Sequence, residues 1–447
     1  MSNLMDLSES NQKLATYSWI SMGVFALIAA GVFSVLVVVS RIPGVQEWIP
    51  FIDFFHTALV VHVDLLVLVW FMSFSAAIWS AGSTTASDLF DQISLLMALC
   101  GALVLILCPF TGVAEPVINN YFPVLQHPLF YSGLLLFSFG IVIKAMLTLA
   151  APSDKPITPL TLGVKLSAAI SIAAFLLFVW AYQTIPGTLE THAFFEVLFW
   201  GSGHTLQISH TVLVIIAWFI LLQGSGYDIA ATTSQQKIAI TLCALPALVA
   251  PVLYFFFSVE SAEHRFWFTR LMQIGGLFSL PAGLLLLLAF LRKRKLDVDE
   301  NTQGPARSAL YNSLLLFTAG GIIGFLIEGV NVVIPAHYHG SIVGITLAFM
   351  GLTYLMLPQL GYNRPYSKWA RRQPWIYGIG QLMHVLGLAW SGGYGVQRKT
   401  AGAAQMLDQL PEIIGMRMMG LGGGIAIIGV VIFLVIVLRT IKAGRQD

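Results

Sequence analysis

Long apolar runs alternate with short polar connections along the whole chain. A membrane-crossing helix needs about 20 mostly apolar residues. Twelve stretches meet that length, at 16–40, 55–80, 89–108, 129–150, 162–184, 193–222, 237–258, 266–291, 308–329, 335–360, 373–392 and 412–438. The runs are continuous and do not alternate residue by residue, which predicts helices rather than the strands of a barrel. The polar start, MSNLMDLSES, has no basic region leading into a short apolar core and does not read as a cleaved signal peptide. No internal repeat or low-complexity segment divides the chain. The pattern predicts an all-α integral membrane protein, one polytopic domain over residues 1–447 with about twelve spans.

Composition agrees with this. The chain is 57% hydrophobic and only 10% charged, against about 25% charged in soluble domains. Its 23 Lys and Arg nearly balance 21 Asp and Glu, so no basic face is available for nucleic acid. Cys100, Cys108 and Cys243 form no C-x-x-C pair, which excludes a zinc ribbon, a disulfide scaffold and covalently attached haem c. The loop cations set the orientation. Arg292, Lys293, Arg294, Lys295 and Arg307 follow span 8, and Arg364, Lys368, Arg371 and Arg372 follow span 10. Arg439, Lys442 and Arg445 follow span 12, whereas the loops after spans 3, 5 and 9 carry almost none. Both termini are therefore expected in the cytoplasm. Lys144 and Lys165, near helix ends, are expected to snorkel to the interface.

The chemistry lies in the histidines. An ionisable residue inside a bilayer is costly and marks a candidate functional site; the alternative is a polar residue bridging two helices. His62 lies early in span 2, His204 in the first half of span 6, His264 after span 7, and His337 and His339 at the start of span 10. Under the expected topology all five sit roughly 5–15 Å below the outer surface, at 1.5 Å per residue. Within PAHYHGS, His337 and His339 are two residues apart and point about 200° apart on a helix, so they cannot ligate the same atom. Histidine is a common axial ligand of haem iron, and this spacing suits two haems on opposite sides of one helix. A zinc site would favour H-x-x-x-H instead.

This arrangement resembles subunit I of the haem–copper oxidase superfamily over nearly the whole chain. The resemblance implies a twelve-helix transmembrane bundle in a bacterial or archaeal cytoplasmic membrane. By position it makes His62 and His339 the ligands of a low-spin haem b and His337 the ligand of a high-spin haem b. His204, within FWGSGHTLQ, resembles the span-6 ligand of the family's non-haem metal. SGGYGVQRKTAG resembles the segment that binds haem propionates, which places Arg398 and Lys399 in that role.

Two departures bear on function. The family carries adjacent histidines after span 7, whereas this chain reads SAEHRFW, making Glu263 and His264 the pair. The expected metal set is then His204, His264 and Glu263. Glu260, one turn before His264, is either the true third ligand or a proton carrier, and a capping or hydrated loop glutamate is the plain alternative for both. A carboxylate favours iron and the general affinity order favours copper, so iron stands only slightly ahead. The second departure is a tyrosine that most oxygen-reducing members place four residues after the span-6 histidine; here that position is Ile208. Tyr254, in span 7, is the nearby substitute, but its spacing reads as core or interfacial. Gln207 faces the side of His204 and could hydrogen-bond a ligand.

Without the tyrosine, the site resembles the nitric oxide reductases of the superfamily. The implied reaction reduces two NO to nitrous oxide and water, as in denitrification, with two electrons arriving through the low-spin haem. The alternative is a terminal oxidase reducing O2, and a remote one is a proton-coupled twelve-helix transporter. Protons are expected from the outer side without pumping. His384 is expected to hydrogen-bond a haem substituent. The chain encodes no electron donor, so the expected partner is a small second subunit carrying haem c or a copper domain, or a quinol.

Overall fold

The computed structural model describes residues 7, 9–39, 54–84, 87–112, 114–152, 156–292, 296–398 and 407–445. Lys399 and the expected inside cations Lys293, Arg294 and Lys295 lie outside the described residues.

All twelve apolar stretches are helical. In chain order the elements are α1 (Ser10–Val39), α2 (Phe54–Asp64), a π-helical turn (Leu65–Trp70), α3 (Phe71–Gly82), α4 (Asp88–Leu107), β1 (Glu115–Val117), β2 (Val124–Gln126), α5 (Pro128–Ala150), α6 (Pro159–Thr184) and α7 (Thr191–Gly224). They continue with α8 (Thr233–Ala244), α9 (Val249–Phe256), α10 (Ala262–Gly275), α11 (Leu280–Arg292), α12 (Glu300–Phe325), α13 (Val333–Gln359), α14 (Ser367–Gly393) and α15 (Leu410–Lys442). Eleven spans are long and apolar enough to cross a membrane, with α8 and α9 sharing one and α10 and α11 another. The twelfth stretch is α14. It falls outside that set because Lys368, Arg371, Arg372, Gln373, Gln381 and His384 dilute its apolar residues.

The chain folds as two compact units, the first made of Met1–Leu213 and Thr233–Ser279, the second of Val214–Thr232 and Leu280–Asp447. In the first unit, α4 and α5 approach so closely that a Cβ at Gly101 or Gly140 would collide with the backbone of the facing helix. Small residues let helices pack in lipid, where no hydrophobic force draws them together. The connection between them is a short antiparallel ribbon, β1 paired with β2, with Glu115 opposite Gln126 and Val117 opposite Val124.

The α4–α5 interface also corrects the expectation for Lys144. Its Nζ is 2.5 Å from Asp91 Oδ1, and the two side chains are 4% and 11% exposed. Lys144 does not snorkel, because a carboxylate 53 positions away in the chain meets it inside the unit. Lys165 ends on the Ala151 carbonyl at 3.2 Å, near the helix end. Removing one partner of a buried pair leaves an uncompensated charge and costs about 3–5 kcal/mol, whereas replacing both with apolar residues is near neutral. Lys144→Ala is therefore expected to lower the thermal midpoint of the detergent-solubilised protein, and the double change Asp91→Leu with Lys144→Met to restore most of it. Equal midpoints for wild type and Lys144→Ala would show that the pair is not buried.

In the second unit α12 lies along α13, and α14 along α15. The glycine run of α15 serves this packing in part: Gly422 contacts the backbone of α14 at Gly380 and His384, whereas Gly420 and Gly424 have open space beside them. One buried polar chain is satisfied across helices: Trp218 Nε1 donates to Ser313 Oγ at 2.7 Å and Ser313 donates to the Gly344 carbonyl at 2.6 Å.

Candidate metal centre and haem ligands

Five histidines share one device. In each, Nδ1–H donates to a backbone carbonyl: His62 to Ala30 at 2.8 Å, His204 to Trp200 at 2.6 Å, His337 to Gly320 at 2.7 Å, His339 to Pro335 at 2.8 Å and His384 to Met419 at 3.1 Å. A carbonyl only accepts, so the proton sits on Nδ1 and Nε2 keeps its lone pair. Fixing the tautomer and ring angle through the second nitrogen is how proteins prepare imidazole as a metal or haem ligand. The donor set fits haem iron and a borderline non-haem metal.

In the first unit, His204 and His264 enter one aromatic pocket. His204 projects from α7, and its ring centroid is 5.7 Å from that of Phe268. His264 is fully buried, packs edge-on against Tyr254 at 4.9 Å and lies 4.8 Å from Phe268. Neither ring nitrogen of His264 has a hydrogen-bond partner. A buried polar side chain without a partner costs about 1–3 kcal/mol, so an imidazole held this way fits a site completed by a metal. Ser261 explains the geometry of this segment. It caps α10, its Oγ accepting the His264 backbone N–H at 3.1 Å.

The cap also decides Glu263. Neighbouring helical residues point about 100° apart; His264 turns into the unit and Glu263 is exposed. The set of two histidines and one carboxylate is not assembled. Among the described residues no three His, Cys, Asp or Glu side chains gather to hold an ion. Glu260 is exposed as well and lines an open cavity of about 470 Å³ with Ser261, Arg265 and Arg270. Gln207 is exposed while His204 is buried, so the side shared by the two in the sequence is not shared in the fold.

Two tyrosines lie against the two histidines of the pocket. Tyr254 is 5% exposed and reaches Gly201, where a Cβ would collide with its hydroxyl. It belongs to the pocket rather than the interface. Tyr121 was not anticipated. It comes from the connection between β1 and β2, and its hydroxyl lies 2.7 Å from both ring nitrogens of His204. A Cβ at Gly203 would collide with its ring. Burial, with the Glu196 carboxylate as a lesser cause, holds the Tyr121 phenol well above the ordinary tyrosine range, so it stays a neutral donor at physiological pH. Glu196 accepts from the Asn120 backbone N–H at 3.1 Å and from the Asn120 side-chain amide. At the start of α7, Glu190 accepts from the backbone N–H groups of His192 and Ala193, which holds its carboxyl below the ordinary glutamate range.

His62 is half-buried in α2, two residues before Asp64, a fully buried carboxylate at the mouth of the π-helical turn. π-Helical turns occur often at functional sites. In the second unit, His337 and His339 stand at the start of α13 with Tyr338 between them. Tyr338 stacks on His339 at 5.0 Å, and His384 meets the same His339 ring at 4.9 Å. Arg398 lies within electrostatic reach of Tyr338. His210, six residues past His204, packs edge-on against Phe71 at 4.9 Å and takes no part in the pocket.

The chain resembles known proteins along most of its length. Residues 15–426 match the family described as Cytochrome C and Quinol oxidase polypeptide I. An uncharacterized protein of Rickettsia prowazekii is 28% identical over 500 residues, covering 96% of each chain. Cytochrome c oxidase subunit 1 of Thermus thermophilus is 23% identical over 464 residues, covering 90% of this chain and 79% of that one. Among solved structures, a heme-copper terminal oxidase dimer shares the fold with a TM-score of 0.74 at 17% identity, over 99% of this chain and 86% of that chain. The chain is an integral membrane protein and belongs to the cytochrome c and quinol oxidase polypeptide I family, subunit I of the haem–copper oxidases.

Proposed function

We propose that the chain is the catalytic subunit of a respiratory enzyme that reduces dioxygen to water. One observation carries this reading: the buried phenol of Tyr254 stands edge-on against His264, in the pocket that also holds His204. The missing tyrosine was the ground for a nitric oxide reductase, and the fold supplies a tyrosine from α9 instead. Cleaving O2 takes four electrons and four protons, and a phenol beside the metal imidazoles is a local source of one of each. When bound, the haems supply electron transfer and the non-haem metal a Lewis acid for the gas.

The protein's own groups do the positioning. His204 and His264 are the imidazoles that would hold the non-haem metal, iron or copper. His337 is the proposed high-spin haem ligand, and His62 and His339 the low-spin pair that the family resemblance implies. Arg398 is the proposed propionate contact. Phe268 and Tyr254 keep water from the buried face of His264. An external donor, either a subunit with haem c or copper or a quinol, completes the proposed complex in a prokaryotic cytoplasmic membrane.

NO reduction is the second reading. It is favoured by Ile208 at the position four residues after His204, where most oxygen-reducing members place the tyrosine, and by a reaction that needs no phenol. Parallel turnover of purified complex with O2 and with NO separates the two. Positioned proton donors contribute roughly 10²–10⁴-fold. Tyr254→Phe is therefore expected to cut O2 turnover about 100-fold or more relative to NO turnover. Faster NO than O2 turnover, with a ratio unmoved by Tyr254→Phe, would establish the NO reading.

A further inference from the structure

Within the second unit, the ring of His384 lies against the ring of His339, with centroids 4.9 Å apart and an interplanar angle of 42°. The two come from different helices, His339 from the start of α13 and His384 from the second half of α14. Both are half-buried. We propose that His384 is a positioning residue for the low-spin haem: anchored on α15, it sets the plane of the His339 imidazole and so tunes the iron that His339 would hold. The proposal rests on the reading of His339 as a low-spin haem ligand and is independent of which gas is reduced.

His339 needs a second constraint. Its Nδ1–H donates to the Pro335 carbonyl at 2.8 Å, on its own helix. That bond fixes the tautomer, whereas the last side-chain torsion of a histidine is broad. Tyr338 stacks on the ring at 5.0 Å and 28°, but it is carried by the same helix and is 37% exposed. His384 ties the ring to other helices. Its Nδ1–H donates across to the Met419 carbonyl of α15 at 3.1 Å, 35 positions further along the chain. The two helices touch backbone to backbone around this bond. A Cβ at Gly422 would collide with the Gly380 carbonyl and the His384 backbone nitrogen, and one at Gly387 with the Gly415 carbonyl and the Met419 nitrogen. Helices this close leave the tether little play, so the His384 ring is presented to His339 in one orientation. Groups that orient an imidazole ligand also tune the metal it binds. The role suggested for His384 by the sequence, a hydrogen bond to a haem substituent, would use its Nε2 instead of its ring face.

Substitution separates the two roles. The test reads the electron paramagnetic resonance lines of the oxidised low-spin haem in full-length, haem-loaded protein, together with haem release to an apoprotein acceptor. His384→Ala removes the ring from its contact with His339. Its low-spin lines are expected to shift, and the low-spin haem to leave about ten-fold faster than from wild type, the lower end of what orienting groups contribute. His384→Phe keeps a flat ring at the contact without either nitrogen, and it is expected to retain the wild-type lines. His384→Leu fills the space without a flat face. It is expected to shift the lines as alanine does, and it decides the matter if the alanine variant does not fold. Unchanged lines in His384→Ala would overturn the proposal. Equal shifts in the alanine and phenylalanine variants would overturn it as well, since a nitrogen and not the ring face would then act. His339→Ala tests the underlying reading: it is expected to lose the low-spin signal, and a retained signal would remove His339 as a ligand, a separate failure.

Discussion

His264→Ala is expected to abolish gas reduction and to strip the non-haem metal while both haems remain. Changes around a bound metal, one step removed from it, already cost 10–100-fold in affinity or activity; loss of a direct ligand in a site with two imidazoles is expected to exceed about 100-fold. The reasoning starts from a side chain with 0% exposure and two unpartnered nitrogens, set between Tyr254 and Phe268. Such a group destabilises the fold unless something completes it. The account therefore fixes the sign of a second change. If His264 held nothing, His264→Leu would remove an unsatisfied polar group and raise the thermal midpoint. If it holds a metal, the same change lowers the midpoint and the metal content together. Metal analysis and thermal unfolding of wild type, His264→Ala and His264→Leu read both quantities. A more stable leucine variant with undiminished turnover would contradict the assignment.

His337→Ala is expected to halve the haem content and to leave a low-spin spectrum with no measurable turnover. His337 is seated on α12: its Nδ1–H reaches the Gly320 carbonyl at 2.7 Å, and a Cβ at Gly324 would press on its ring. Both features turn Nε2 toward one fixed direction. His339, two residues on, is pinned separately by the Pro335 carbonyl at 2.8 Å and flanked by Tyr338 and His384. Two independent seats on one helix suit the two ligand roles proposed for these histidines, so removing one is expected to spare the haem of the other. Retention of both haems in His337→Ala, or loss of both, would break that separation.

The helices were legible because the bilayer imposes a length that apolar runs record directly, and all twelve stretches are helices. α14 marks the limit of that reading: with its arginines and glutamines its register is set by contacts with α15 rather than by its own hydrophobicity. His62, His204, His337 and His339 were legible because each is a costly residue in an apolar run. The side chains around them were less so. The spacing rule that separated His337 from His339 applies equally to Glu263 and His264, where the family pattern suggested a pair and the Ser261 cap turns them apart. Tyr121 lies against His204 across 83 positions, from a loop that no periodicity marks. Its one trace is the pair of glycines in FWGSGHTLQ, Gly201 and Gly203, which are notches for Tyr254 and Tyr121. Lys144 shows the same blindness to distance, its carboxylate lying on the preceding helix.

Haem and metal counting on the purified complex tests the central claim most directly. A pyridine haemochrome spectrum combined with iron and copper analysis is expected to give two haems b and one non-haem iron or copper for each copy of this chain. A protein of full helical content that carries no haem would contradict the account, because the carbonyl-pinned imidazoles would then ligate nothing.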